Sequence, residues 1–235
     1  MGGRGTTRAV PGSKPASATP LSALALARLG ELAGLPAGVL SVTPSRNTAA
    51  VGRALTESLL VRKVTFTGST EIGKVLLRQA AGTVKKVSME LGGNAPVRAF
   101  GDTDLDRAVE GTSAAKFRNT GQTFVCANRI YVQAGIHDRF VAALAAAAAK
   151  LTVGPALEGD FDQGLLIDTV ALDKVEELVA EAADGGAGVV TSGRRHAGGG
   201  SFYEPTVLGN VQPDARIAGR RRSGRWRRSS ASSTR

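Results

Sequence analysis

Lys63 to Gly73 reads KVTFTGSTEIG: a short run of β-branched and aromatic residues, then Gly-Ser-Thr, then the start of a helical pattern. Val, Thr and Phe suit a pleated strand, and glycine lets the chain turn tightly out of it. A strand that passes through such a turn into a helix leaves unpaired N–H groups at the helix start. There the positive end of the helix dipole suits a phosphate. The same turn is common in α/β proteins that bind nothing at it, so alone it is a weak functional signal.

Working outward, the pattern repeats. Upstream, Thr19-Pro20 reads as an N-cap followed by proline at the first helical position. The helix LSALALARLGELA then stops at Gly34, with Pro36 beyond. GVLSVT, residues 38–43, reads as a strand, and Thr48 to Ser58 as a second helix. Downstream, KKVSMEL, APVRAF, RIYVQ and GVVTSG read as strands, while Asp104 to Lys116, Ile136 to Lys150 and Thr169 to Ala183 read as helices. Strands alternating with helices over short connections predict an α/β fold of βαβ units, with a mostly parallel sheet covered by helices on both faces.

The composition fits a soluble globular chain: 42% of the 235 residues are apolar, and the alanine-rich run Ala142 to Ala149 falls short of the roughly 18 residues a membrane span needs. No membrane partner is expected. The single cysteine, Cys126, excludes an internal disulfide and suits a reducing cytoplasm. The net charge of +10 raises nucleic-acid binding, but its location argues against it. Residues 216–235 hold eight arginines and no acid, and Arg4, Arg8 and Lys14 are likewise unmatched, so residues 15–215 are close to neutral. An arginine tail that bound nucleic acid would do so with a steep salt dependence, lost on deleting residues 216–235.

Two further stretches carry chemistry. In MELGGNAP, Glu90 closes an apolar strand ahead of two glycines. A carboxylate among apolar neighbours is raised toward the range of a general base, and a solvated strand-end glutamate is the alternative. The other is KFRNTGQTFVCANR, Lys116 to Arg129. In this order and spacing, LVRKVTFTGSTEIGK, KKVSMELGGNAP, LDRAVEG and KFRNTGQT resemble the aldehyde dehydrogenase family, and its succinate-semialdehyde branch in particular. The resemblance runs from about Lys14 to about Ile217.

That resemblance implies an NAD- or NADP-dependent oxidoreductase that turns succinate semialdehyde or a similar aldehyde into its acid, in a homo-oligomer. It implies a partial aldehyde dehydrogenase fold: an incomplete Rossmann-like cofactor domain over 14–91 and part of the catalytic domain over 92–215. By position, Lys14 inherits contact with the adenosine ribose, and Ser17 stands where an acid is frequent, which leaves NADP possible beside NAD. Gly68 and Ser69 match the pyrophosphate contact, Leu91 a backbone neighbour of the nicotinamide, and Glu90 the base that activates the deacylating water. Arg118 matches an arginine that holds the distal carboxylate of the substrate, for which a guanidinium fork is suited. A surface arginine at a helix end is its other reading. No metal is implied.

The family nucleophile is a cysteine two residues after the glutamine of Gly-Gln-x-Cys, and here that position is Phe124. A benzyl ring cannot form the thiohemiacetal from which hydride departs. Cys126 is two residues on, roughly 6–7 Å along an extended segment, where about 1 Å of misplacement can cost ~10²-fold in rate. It matches the second cysteine of many semialdehyde dehydrogenases, and it also reads as a small buried apolar residue. The expectation is therefore a chain inactive as written, with a non-catalytic nucleotide- or subunit-binding remnant as the alternative.

The two ends are expected to depart from the family. Residues 1–13 read as aberrant or disordered, and 216–235 as a disordered basic tail. Gly219 to Ser230 can be back-translated so that the adjacent frame reads REEAFGPVAPIV, close to the family's segment after EPTVL. A shifted frame and missing terminal elements are the expectation from this.

Overall fold

The computed structural model describes residues 11–219. They form two compact units, the first ending at Glu90 and the second beginning at Leu91.

In the first unit, β1 (Gly12–Ser13) pairs in parallel with β2 (Ser41–Val42), so the strand expected over GVLSVT is limited to the two residues that find a partner. Between them lies α1 (Leu21–Leu32). Its N-cap is Pro20, whose side chain has no hydrogen-bonding group, so no side chain caps the helix. This corrects the expected Thr19 cap. None of the residues of α1 is buried. The helix α2 (Thr48–Glu57) starts on Asn47, whose side chain accepts from the Ala50 amide. It docks on α3 (Thr70–Ala81) through Thr56, whose fully buried hydroxyl meets Gly52 O at 2.8 Å and Gln79 Oε1 at 3.0 Å. β3 (Lys63–Thr67) and β4 (Lys86–Glu90) pair in parallel across α3, in the register Lys63 to Lys86 through Thr67 to Glu90.

The second unit holds the larger core. β5 (Ala95–Ala99) pairs in parallel with β6 (Ala127–Val132), with a bulge after Ala95. α4 (Leu105–Phe117), capped by Asp104, and α5 (His137–Ala148) pack beside them. Ala99, Val109, Phe117, Phe140, Leu144, Ala148 and Val207 are buried together. α6 (Thr169–Asp184) begins on Asp168, whose carboxylate accepts from the Ala171 amide at 2.7 Å, and buries Leu172 and Val179 against Leu166 and Tyr203. β7 (Gly188–Thr191) and β8 (Val207–Gly209) are antiparallel, since the chain between them folds back through a bridge from Arg195 to Tyr203 instead of crossing over.

The single mostly parallel sheet expected from the alternation is, among the described residues, four two-stranded pairs, three of them parallel. The start of the tail expected to be disordered is ordered as α7 (Arg216–Gly219). Arg216 explains this, pairing with Glu177 and, at 2.9 Å, with Glu181 on α6. The remaining expectations for residues 1–10 and 220–235 fall outside the described residues. Among the described residues no helix is long and apolar enough to cross a membrane.

Candidate functional site

In the first unit the structure brings Lys14 and Ser17 together. The Lys14 ammonium donates to Ser17 Oγ at 3.1 Å, and that hydroxyl donates to Ser45 O at 2.9 Å. The result is a short polar line on the loops beyond β1 and β2. Gly68 lies where β3 gives way to α3. A Cβ added at 68 would lie 2.4 Å from the Phe66 ring, so any other residue here requires that ring to move aside. The Gly68 amide is not free for a phosphate, because it donates to Glu90 O at 3.0 Å. Ser69 caps α3, its Oγ accepting from the Ile72 amide at 3.3 Å. Gly68 and Glu90 thus belong to one hydrogen-bonded corner at the end of the β3–β4 pair. The Glu90 side chain is exposed, which matches the solvated strand-end reading and not the apolar enclosure.

In the second unit, Leu91 is half-buried. Arg118 ends α4 with an exposed side chain, and its carbonyl lies 3.5 Å from Cys126 Sγ. After it, Asn119 (φ 49°), Thr120 (φ 56°) and Gly121 (φ 70°) are left-handed in succession. Glycine adopts this region freely and asparagine tolerates it, but a β-branched threonine does not. Gln122 leads out of the turn to Phe124, whose ring is 52% exposed. Cys126, only two residues further, is 1% exposed, with Sγ beside Thr123 Oγ1. The two positions point to opposite environments: 124 outward, 126 into the unit.

A cleft of about 270 Å³ lies behind the turn, lined by Phe117, Thr120, Gln122, Leu166, Val179 and Tyr203 among others. Phe124 does not line it. The Tyr203 hydroxyl is buried there without a hydrogen-bond partner. Burial, reinforced by the Glu176 carboxylate, raises the phenol above its ordinary 10.0, so it stays neutral and able to donate.

Sequence reasoning missed Thr120 and Gln163 as parts of this site. Gln163 is buried and its Nε2 donates to Phe117 O at 3.0 Å, yet it sits in a stretch between α5 and α6 with no periodic pattern. Only the Asn-Thr-Gly string hinted at a left-handed turn.

The model of the aldehyde dehydrogenase family matches residues 12–220. The chain belongs to this family. Aldehyde dehydrogenases are oxidoreductases, and the α/β units here are a partial form of their fold. Over 205 residues, 87% of this chain, it is 57% identical to a 3-sulfolactaldehyde dehydrogenase of Pseudomonas putida. It is 54% identical to an NADP+ succinate-semialdehyde dehydrogenase of Escherichia coli and 55% identical to a glutarate-semialdehyde dehydrogenase of Pseudomonas aeruginosa. The chain spans 42% of the length of each. Among solved aldehyde dehydrogenase structures, succinate-semialdehyde dehydrogenase from Burkholderia pseudomallei matches 87% of this chain and 42% of its own, at 51% identity and a TM-score of 0.84. A structure titled as an NADP-dependent enzyme of E. coli matches at 53% identity and a TM-score of 0.86, over 88% of this chain and 43% of that one.

Proposed function

We propose that this chain carries the cofactor-contact, base and nucleophile-loop segments of a semialdehyde dehydrogenase, and that it does not turn over as it stands because position 124 is phenylalanine. The observation that carries this reading is the outward, half-exposed Phe124 directly after the left-handed turn of Gly-Gln-x-Cys register. An exposed side chain there is placed to meet a substrate, and a benzyl ring has no lone pair with which to attack a carbonyl. The buried Cys126 is not presented to solvent and cannot replace it.

The other segments fit the same reading. Lys14 and Ser17, joined to Ser45 O, offer a cation and a hydroxyl to a ribose or its 2′-phosphate, which favours NADP alongside NAD. With the Gly68 amide bonded to Glu90 O, it is the start of α3 after Ser69 that offers its positive dipole end to the pyrophosphate. Leu91 offers its backbone beside the nicotinamide. NAD(P)+, when bound, supplies the hydride acceptor. Glu90, exposed at the end of β4, is free to take a proton from the water that would release an acyl group. The named relatives act on aldehydes that carry a carboxylate or sulfonate at the far end, and Arg118 has the fork to hold such an anion.

The purified 235-residue chain, mixed with succinate semialdehyde or glutarate semialdehyde and either cofactor, should give no rise in the absorbance of reduced cofactor. Calorimetric titration with NADP+ should still register binding, weakened when Lys14→Ala removes the ammonium. Turnover by the Phe124 chain would overturn the first part of the reading, and absence of cofactor binding the second.

A further inference from the structure

The turn before position 124 holds two non-glycine residues at positive φ, each costing on the order of 1–3 kcal/mol unless its surroundings over-determine it. One segment, residues 163–167, supplies that constraint. Gln163 Nε2 donates to Phe117 O at 3.0 Å, just ahead of the turn. The Gly164 amide donates to Thr120 Oγ1 at 3.1 Å, and that hydroxyl lies 3.4 Å from Gly164 O. Gln122 makes the most specific contact. Its Nε2 donates to Leu165 O at 3.0 Å while its Oε1 accepts from the Ile167 amide at 2.9 Å. Carbonyl and amide two residues apart form the pattern a neighbouring strand would satisfy, so the side-chain amide stands in for a peptide group along the strap. Only one orientation of the amide satisfies both bonds.

Downstream, Cys126 is a second anchor. It is buried, and its amide donates to Thr123 O at 3.1 Å. Residue 124 therefore hangs between two fixed points, each two residues away. We propose that the 163–167 strap is the positioning element of this site, with Gln122 the positioning residue that sets the direction in which side chain 124 leaves the unit. This rests on the reading of position 124 as the nucleophile position, but it can be tested without aldehyde or cofactor.

The test uses the full chain carrying Phe124→Cys, so that the introduced thiol reports on its own placement. Its alkylation by iodoacetamide is followed across pH, with modification at position 124 distinguished from modification of Cys126 by fragment masses. Adding Gln122→Met keeps length and neutrality while removing both hydrogen bonds. The alkylation rate at position 124 should then change by about fivefold or more, and its pH midpoint should shift. Exchange at the Ile167 amide should quicken. Leu144→Ala, which opens the core under α5 in a cluster that holds no residue of the strap or of the turn, should lower the melting temperature and leave the pH profile at position 124 unmoved. A profile within about twofold of the parent at every pH, with Ile167 still protected, would overturn the proposal. Should Gln122→Met fail to fold, Thr120→Val removes the hydroxyl bonded to Gly164 and must move the same profile in its turn; an unmoved profile there overturns the proposal equally. Turnover by the Phe124 chain would count against the proposed function and leave this result untouched.

Discussion

Phe124 and Cys126 have neighbouring places in sequence and opposite surroundings, and this contrast decides the chemistry open to each. A thiol reacts only with a reagent that can reach it, and burial withholds that access. With 1% exposure, Cys126 can be reached only when the second unit opens. In the native chain its alkylation should be slower than in urea-unfolded chain by about 10²-fold or more, read by mass after timed quenching. An equal rate in both states would mean that the pocket around Cys126 does not persist in solution. Glu90 shows the limit of the same reasoning from sequence. Its apolar neighbours along KVSME suggested enclosure, but a strand-end side chain is enclosed only by what packs over it, and here it is exposed.

The strap is itself held by a small reciprocal lock. Asp162 Oδ2 accepts from the Thr152 amide and from Thr152 Oγ1, both at 2.8 Å, while the Asp162 amide donates to that same hydroxyl oxygen at 3.1 Å. The two hydrogen bonds to the carboxylate, the backbone one first, hold its pKa below the ordinary 3.8. A carboxyl group lowered on folding contributes stability above its unfolded value, and loses that contribution as pH falls through its folded value. Asp162→Asn should thus be less stable than the parent near neutrality, with the gap closing as pH falls below the ordinary 3.8 and through the lowered folded value, measured by urea midpoints. A gap constant with pH would remove Asp162 from the lock. Helices of both units were legible in the sequence where their signals agree: Asn47, Ser69, Asp104 and Asp168 each cap a helix that an apolar period then continues. The strap was not legible. Its order comes from partners more than forty residues away, Gln163 to Phe117 and Gln122 to Leu165, and no local pattern encodes contacts of that range. The left-handed turn fell between these cases, since Gly121 announces one positive φ while Thr120 gives no hint of another.

Across the whole molecule, burial is divided unequally. In the first unit the described residues that are buried are Pro15, Thr56, Val64, Gly73 and Ala80, and α1 leaves Leu21, Leu26, Leu29 and Leu32 more than half exposed. The second unit buries Phe140, Leu144, Ala148, Leu172, Val179 and their neighbours in two clusters. Apolar burial is the dominant favourable term, at roughly 25 cal/mol per Å², so the unit with few buried side chains has little to set against its conformational entropy. Hydrogen exchange in rising urea, read by mass spectrometry, should show peptides of α3 losing protection at lower urea than peptides of α5. Leu172→Ala leaves a cavity at a side chain with 0% exposure, and should lower the stability of the second unit by about 2–5 kcal/mol while the α3 transition stays in place. Simultaneous loss of protection in α3 and α5, moved together by Leu172→Ala, would instead mean that the two units fold as one cooperative body.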